Sequence, residues 1–332
     1  MSLNLKPHSP APLTDLLTRA AFAPIENVGW LRVTGEDRVR WLNGMVTNSI
    51  QELEPGESCY NFFLNAQGRI QGDCTAWMQE DCILLETAAD RLPTLVGLLE
   101  RFIIMDDVVL TPLENRRGLL LAGPHAQTYL HALSLPTPQA RTCCTTDAGV
   151  NIAYTASAIV PTFEIWSDAV AIATIAGTLG SMLEAPGQAD AATLEQLRVL
   201  EGTPRYGVDI RDRELPQETA QTRALHFAKG CYLGQEIVER IRSRGAVHRT
   251  FSGFILTGEL PAAGALLTAA DAPERAAGEL TSVARIQLPG GTVQLALGYI
   301  RRDAIERNAT ITYPGGNAVA AALPFQLPEL RA

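Results

Sequence analysis

The stretch KGCYLGQE, residues 229–236, is the part of the chain around which the rest is organised. In it two glycines bracket a cysteine and a tyrosine, in the order Gly230, Cys231, Tyr232 and Gly234. Glycine has no Cβ atom and reaches positive φ angles, so the backbone here can turn sharply or approach a ligand closely. Gln235 and Glu236 then begin a segment whose apolar residues recur at helical spacing. The stretch therefore predicts a tight loop that leads into a helix.

Cys231 is the candidate functional residue of this loop. It precedes the predicted helix and lies two positions from Lys229. The positive end of a helix dipole and an ammonium group both stabilise a thiolate, relative to a free thiol with a pKa of about 8.5. The alternative is a small buried hydrophobic residue, which is the more common fate of a free cysteine. The neighbouring glycines, lysine and arginines favour a functional thiolate.

Lys229 stands out because the chain contains two lysines, Lys6 and Lys229, against twenty-five arginines. Positive charge in this protein is thus supplied mainly by guanidinium groups. An ammonium group is a compact charge whose pKa shifts readily on burial, which a guanidinium group does not offer. We therefore expect Lys229 to act together with Cys231.

Composition limits the class of protein. A chain of 332 residues, 46% of them hydrophobic, is long enough for two or three domains with substantial cores. Its net charge of −9 argues against a protein that coats nucleic acid. Residues 240–249 nevertheless carry four arginines and no acid, namely Arg240, Arg242, Arg244 and Arg249. This strip predicts a local anion site or a weak tRNA contact; the alternative is a solvated helix end whose cations interact with the dipole.

The cysteine pattern gives no sign of a metal site. The six cysteines show neither a CxxC pair nor a His/Cys ligand spacing, so we expect no metal and a reduced, cytoplasmic protein. No charged segment followed by an apolar run suggests a signal peptide. The most apolar window, residues 169–183, is short for a membrane span, so no membrane partner is expected.

The order of the predicted elements favours an α+β fold in three parts. Residues 1–115 and 116–244 are each expected to form an α+β lobe with helices on an antiparallel sheet. Residues 245–332 lose the helical period and are expected to form a small β-barrel. The elements expected in the first lobe are helices over 13–22, 35–46 and 90–105, with strands over 28–33, 58–65, 69–78 and 82–87. Barrel strands are expected over 251–257, 266–268, 278–287, 293–300 and 309–312.

The KGCYLGQE loop, read with three other segments, resembles the YgfZ family, which is related to the glycine-cleavage T-protein, an aminomethyltransferase. The other segments are TGEDRVRWLNGMVTN at 34–48, LNAQGRIQGD at 64–73 and LRVLEGTPRYGVDI at 197–210. The resemblance implies a T-protein-like cloverleaf of two ferredoxin-like lobes and a small barrel around a folate pocket. It also implies tetrahydrofolate or a one-carbon derivative as ligand, and support for iron-sulfur cluster assembly or repair and for dependent tRNA modification. The implied partners are iron-sulfur proteins or their assembly machinery, and classical turnover is not the favoured expectation.

A folate requires an acid for the pterin N–H groups, an aromatic or aliphatic slot and cations for its glutamate tail. The candidates for these roles are Asp73, Arg198, Glu201, Arg205 and Tyr206. Local ion pairs and ordinary loop positions are the alternatives. The resemblance is imperfect here, since related families have R-x-E-x-G whereas this chain has Glu201 one position later, directly before Gly202.

A second departure bears on catalysis. T-proteins carry an Asp-Asp pair whose first member is assigned to catalysis, and in gap-free register that position is Gly72, followed by Asp73. A shift of one residue along a strand moves a side chain to the opposite face of the sheet. We therefore favour the maintenance role over a tetrahydrofolate-dependent aminomethyltransferase, which stays as the alternative because a bulge could restore the register.

Overall fold

The structure, a computed structural model, describes residues 12–330 except 156 and 246, so Lys6 lies outside the described part. The chain divides into two compact units. The first unit comprises the residues up to 67, together with 71–190 and 223–235, and the second comprises 68–70, 191–222 and the residues from 236 onward.

The first unit contains two sheets and five helices in its described part. Its helices are α1 (Leu13–Thr18), α2 (Arg38–Met45), α3 (Leu92–Glu100), α4 (Ala126–Ala132) and α5 (Ala169–Ser181). Its strands are β1 (Ala21–Ile25), β2 (Val28–Thr34), β3 (Ser58–Leu64), β4 (Ile70–Met78), β5 (Ile83–Ala88), β6 (Val109–Pro112), β7 (Arg116–Ala122), β8 (Cys143–Thr145), β9 (Asn151–Tyr154), β10 (Thr162–Asp168) and β11 (Gly187–Gln188). One sheet has the order β3-β4-β5-β2-β6 and the other β11-β1-β7-β10-β9-β8.

The described residues of the first unit include three apolar cores. The first sheet packs against α2 and α3 through residues such as Leu42 and Leu95, and the second sheet packs against α4 and α5. A third core joins strands of both sheets around three tryptophans. The Trp166 ring centroid lies 6.0 Å from that of Trp30 and 5.1 Å from that of Trp77. Tilted aromatic pairs of this kind contribute beyond the area that they bury.

The second unit is built on a closed barrel. Its helices are α6 (Ala191–Glu201), α7 (Gln235–Arg244), whose first residue belongs to the first unit, and α8 (Arg302–Glu306). The barrel strands are β12 (Arg249–Gly258), β13 (Leu266–Ala269), β14 (Ala272–Leu288), β15 (Gly291–Arg301), β16 (Ile311–Tyr313) and β17 (Gly316–Ala321), in the order β12-β15-β14-β13-β16-β17. Because β17 pairs with β12, the barrel closes and leaves no free edge.

The elements that differ from the sequence prediction include β1 and β17. The helix expected over 13–22 ends at Thr18, and β1 follows it between β7 and β11. A short apolar run such as AFAPI has no period that separates a strand from a helix, and pairing in the sheet decides the outcome. β17 was not predicted because its alanine-rich sequence has low strand propensity; it is fixed by its partners β12 and β16.

The predicted α+β content and the C-terminal barrel are both present. The apolar window that begins at Ala169 forms α5, and among the residues described no helix has the length and apolar character that a membrane crossing requires.

A buried ion pair fixes α6 to the loop that follows it and to β14. Asp209 is fully buried, and its Oδ2 accepts a hydrogen bond from Arg198 Nη1 at 2.7 Å and one from the Arg205 amide at 2.9 Å. Its Oδ1 accepts from the hydroxyl groups of Thr281 and Ser282 on β14. Every carboxylate oxygen is therefore satisfied, as the burial of a charge requires.

Replacing Asp209 with Asn should destabilise the second unit by about 3 kcal/mol, near the lower end for a broken buried pair, because Arg198 loses its buried counter-charge and keeps only the half-exposed Glu195. Urea unfolding of the whole chain, followed by circular dichroism, measures the change. Asp303→Asn serves as the control, since its ion pairs are on the surface and are worth no more than about 1 kcal/mol. Equal losses in the two variants would contradict the assignment.

Candidate functional site

Lys229 anchors the KGCYLGQE loop to the end of α2. Its Nζ donates to the carbonyl oxygens of Asn43 at 2.7 Å, Val46 at 2.7 Å and Asn48 at 2.5 Å. An ammonium group has three donors, and here each has an acceptor. The positive charge also lies at a helix C-terminus, where it is stabilised by the dipole. Burial opposes the charge and lowers the pKa of Lys229 to about 8.

The rest of the loop is held by backbone contacts in the same unit. The amide of Leu233 donates to the Gly44 carbonyl at 3.1 Å, and the Tyr232 ring lies 5.0 Å from the ammonium of Lys229. Gly234 has a φ angle of +81°, which favours glycine, whereas a Cβ atom at Gly230 would meet nothing within 4 Å. The sequence predicts glycine here either for a sharp turn of the backbone or for a close approach. The sharp turn is the reason that applies to Gly234.

Cys231 is exposed, whereas the other five cysteines are buried or half-buried. Burial raises the pKa of Cys59 and of Cys143 to about 11, so these thiols are held in the protonated form. The three protons of Lys229 are directed at carbonyl groups, and α7 begins four residues after Cys231. The sulfur of Cys231 is thus accessible to solvent. The role predicted for it, a functional thiolate that acts with Lys229, stays a prediction.

Asp73 belongs to a polar group that adjoins this loop. Its Oδ2 accepts a hydrogen bond from the Tyr60 hydroxyl at 2.6 Å, and Arg223 lies 4.9 Å above the Tyr60 ring. Asn48 connects this group to the loop, since its side chain donates to the carbonyls of Tyr60 and Arg223 while its own carbonyl accepts from Lys229. Burial raises the pKa of Asp73 to about 6.

The two faces of β4 clarify the register question. A Cβ atom at Gly72 would lie 3.7 Å from the Phe63 ring and 3.9 Å from a Leu95 methyl group, inside the core under α3. Asp73 lies on the opposite face, with Tyr60. A carboxylate at position 72 would therefore point into the apolar core, and in this chain the acid on the polar face is Asp73. Gly72 therefore counts less against a transferase than the sequence alone suggests.

A pair of carboxyl groups, from one strand of each sheet of the first unit, forms another polar group. The carboxyl groups of Glu86 on β5 and Glu164 on β10 lie close to each other, and the charge of Glu86 raises the pKa of Glu164. Glu86 also accepts from Trp77 Nε1 at 3.0 Å, and Glu164 accepts from Trp166 Nε1 at 3.2 Å. Burial raises the pKa of both. Because two carboxylates that share a site repel each other, the pair holds one proton and carries at most one negative charge.

The remaining predicted folate residues are in the second unit. Arg198 uses all five guanidinium N–H groups, with Glu195, Thr203, Asp209 and Ser282 as acceptors. A ligand carboxylate would have to displace one of them. Arg205 pairs with Glu195 at 3.2 Å, the buried Tyr206 donates its hydroxyl to Asp212, and Glu201 is the half-buried last residue of α6.

The four predicted anion-contact arginines differ in their surroundings. Arg249 is committed to Glu214 and Glu218, each at 3.2 Å, and Arg242 lies 3.4 Å from Glu239. Arg240 and Arg244 are exposed and have no ion-pair partner among the described residues. The basic strip of the sequence is thus reduced to two available cations.

Sequence reasoning missed the residues that surround Asp73 and the paired glutamates. Tyr60, Asn48 and Arg223 are ordinary in sequence, and only folding brings them together. The two glutamates could have been identified from the sequence, because Glu86 and Glu164 are single acids inside the apolar segments ILLETA and TFEIW. An acid at such a position is expected to be either paired or functional.

Replacing Asp73 with Asn should increase the free energy of unfolding at pH 7 by roughly 1–3 kcal/mol. Asp73 is half-buried and largely desolvated, and its folded-state pKa of about 6 exceeds the ordinary value of 3.8. Between these values the native state binds a proton that the unfolded state lacks, so the advantage of Asn should shrink as the pH falls and vanish near about pH 4. Urea titrations across this range measure it.

The exposed Asp90→Asn is the control and should change stability little at any pH. A gain for Asp73→Asn that is independent of pH would show that relief of the buried charge is not its cause.

Comparison with known proteins places these features in a family. The profile of the GCVT N-terminal domain matches residues 14–229. Among curated relatives, a putative chloroplastic transferase of Arabidopsis thaliana, At1g60990, is 23% identical over 296 residues, which are 87% of this chain and 67% of the relative. A mitochondrial iron-sulfur cluster assembly factor IBA57 homolog of Mycosarcoma maydis is 26% identical over 73% of this chain and 59% of the relative, so the match spans less than two thirds of that protein. The tRNA-modifying protein YgfZ of Photorhabdus laumondii is 24% identical over 72% of this chain and 71% of the relative.

A solved structure gives the same result for the fold. The glycine cleavage system aminomethyltransferase T of Bartonella henselae superposes with a TM-score of 0.82 and 20% identity over 96% of this chain and 89% of that one. At this identity the likeness concerns the fold, and it confirms the T-protein-like α+β architecture with a C-terminal barrel. The family profile covers well over half of the chain, and the resemblance to YgfZ proteins is confirmed by a curated relative of that name. This chain belongs to the GCVT N-terminal domain family.

Proposed function

We propose that this protein is a folate-binding factor that supports the assembly or repair of iron-sulfur clusters through Cys231. The observation that carries the proposal is the exposed sulfur of Cys231 on a loop that Lys229 ties to α2 by three hydrogen bonds. A reactive or metal-binding thiol has to be accessible and held in place. The other five cysteines of this chain are buried or half-buried, so they are less accessible than Cys231.

Cys231 would act jointly with a partner. Cluster sites usually have four cysteine ligands, and the described residues contain no group of three or more His, Cys, Asp or Glu side chains able to hold a metal. One thiolate can complete a cluster site on another protein, or take part in redox or one-carbon chemistry. Support comes from the relatives, one named an iron-sulfur cluster assembly factor and another a tRNA-modifying protein. The partners we propose are therefore iron-sulfur proteins or their assembly machinery.

The carboxyl groups of the first unit fit a folate by their chemistry. A pterin presents N–H donors on an apolar ring, and Asp73, Glu86 and Glu164 provide half-buried acceptors beside tryptophan and tyrosine rings. Tetrahydrofolate, when bound, carries one-carbon groups. These residues would bind and orient its ring, and Glu164 and Glu86 would release their shared proton to accept two N–H groups. Glu201 and Arg205 stay candidates for further contacts.

The cellular location that we propose is the cytoplasm. A cytoplasmic protein that supports cluster-dependent tRNA modification agrees with the bacterial YgfZ relatives. Other relatives are named as mitochondrial or chloroplastic.

The second candidate function is a tetrahydrofolate-dependent aminomethyltransferase. Asp73 favours it, because it is a half-buried acid on the polar face of β4 whose pKa is raised to about 6. A carboxylate with such a pKa is suited to general base catalysis near neutral pH. The two functions differ in turnover, which the aminomethyltransferase requires and the maintenance factor does not.

Replacing Cys231 with Ala should abolish the rescue of iron-sulfur enzyme activity in cells that lack the natural copy, because no other exposed thiol is present among the described residues. Cys144→Ala is the matched control, since Cys144 is half-buried on β8, and it should rescue fully. Activity of iron-sulfur enzymes in extracts is the measurement.

Full rescue by Cys231→Ala would overturn the role of the thiol. In that case the purified protein should be assayed with aminomethylated carrier protein and tetrahydrofolate. Turnover that Asp73→Asn abolishes would then establish the second candidate function.

Replacing Glu164 with Gln should weaken tetrahydrofolate binding at least about tenfold, since a hydrogen bond to a charged group contributes about 1.5–3 kcal/mol. Isothermal titration calorimetry of the whole chain measures it. The wild-type heat should also vary with the ionisation enthalpy of the buffer, because binding releases the proton that Glu86 and Glu164 share. Cys231→Ala should bind like the wild type.

The Glu201→Ala variant tests the residue that was predicted from sequence, and the exposed Asp90→Asn is the control. If Glu164→Gln binds tetrahydrofolate like the wild type while Glu201→Ala loses binding, the pterin site is in the second unit. Absence of binding to the wild type would remove folate from the function.

A further inference from the structure

One face of α7 lines a half-open cavity of about 500 Å3. The lining residues are Ile237, Arg240, Ile241, Arg244 and Gly245, all in the second unit. The first four recur at positions i, i+3, i+4 and i+7, so they form a single stripe along the helix. Isoleucine and arginine alternate in this stripe, so apolar and cationic side chains lie next to each other along it.

The two arginines of the stripe have no ion-pair partner among the described residues, although Arg242 on the same helix lies 3.4 Å from Glu239. Arg240 and Arg244 are separated by one helical turn, and like charges at this spacing destabilise an isolated helix. An acidic partner that contacts both would remove this repulsion.

The apolar part of the stripe is already positioned for contact. Ile237 is held against the turn at Gly68, where an added Cβ atom would lie 2.7 Å from the Ile237 Cβ atom. Val238, on another side of α7, is fully buried. The helix is thus packed through one side, while Ile237 and Ile241 remain half-buried beside the cavity.

We propose that this stripe of α7 is a docking surface for a segment of another protein that presents an aliphatic side chain flanked by carboxylates. The aliphatic group would lie on Ile237 and Ile241, and the carboxylates would pair with the guanidinium groups of Arg240 and Arg244. Helix faces of this kind are a common means of peptide recognition. The surface is independent of the chemistry proposed for Cys231.

The composition of the surface favours such a protein segment over RNA. RNA affinity depends on many phosphate contacts, and of the four arginines in this strip Arg242 and Arg249 are already paired. Single-stranded RNA also stacks on aromatic side chains, and the lining residues include none. The net charge of −9 further opposes extended binding to nucleic acid.

The test uses a fluorescein-labelled peptide in which leucines are flanked by glutamates at helical spacing. Fluorescence anisotropy with the full chain should show binding, and the double variant Arg240→Glu/Arg244→Glu should weaken it at least about tenfold, since charges of the wrong sign then meet the glutamates. Arg242→Glu is the matched control on the same helix and should remain within about twofold. Circular dichroism checks that α7 is retained.

A peptide with lysines in place of the glutamates should reverse the preference and bind the double variant more tightly than the wild type. Equal binding of the acidic peptide to wild type and double variant, or no binding to either, would overturn the proposal. A single-stranded RNA oligonucleotide is measured in parallel. If RNA binding depends on Arg240 and Arg244 while peptide binding does not, the surface is an RNA contact and the proposal is wrong.

Discussion

The ammonium group of Lys229 is the interaction on which the loop depends. Transfer of a charge from water into a protein is costly unless the charge is fully hydrogen-bonded, and here three carbonyl oxygens surround one nitrogen. A guanidinium group spreads its five donors over a planar fork, with at most two N–H groups on any one nitrogen, so it cannot make three hydrogen bonds from a single atom. This explains why a chain that otherwise relies on arginine has a lysine at this position.

Lys229 fixes the position of the loop without donating a hydrogen bond to the sulfur of Cys231. Lys229 fixes the backbone on one side of Cys231, and Leu233 fixes it on the other through Gly44. The sulfur between them stays exposed without a bond to the lysine that supports it. Such a thiol is accessible to a large partner and at the same time is restricted in where it can move. The buried and half-buried thiols, Cys59 among them, have pKa values raised by burial and are poor nucleophiles and ligands.

Local features of the fold could be predicted from the sequence, whereas long-range pairing could not. Hydrophobic periodicity located most helices and strands, and the rarity of lysine identified Lys229. Periodicity failed at β1 and β17, where the sheet partners decide the conformation. The site was only half predictable for the same reason. Asp73 was identified as an acid, but its hydroxyl partner Tyr60 is on the adjacent strand, and no spacing rule joins Glu86 to Glu164 across two sheets.

The carboxyl groups of the first unit bear on whether its polar interior is a structural or a functional feature. Asp73, Glu86 and Glu164 all have pKa values raised by burial, and Asp73 raises the pKa of Glu86 further. An interior built for stability alone would replace such a group with apolar residues of the same volume, since buried charges rarely add net stability. Each of these acids instead keeps a neutral donor from tyrosine or tryptophan, which fixes its position without neutralising it. Arg223 and Arg116 offset the burial of Asp73 and Glu86 only in part, since both pKa values remain raised. The cost of these acids in stability is therefore the physical argument that supports the ligand site proposed above.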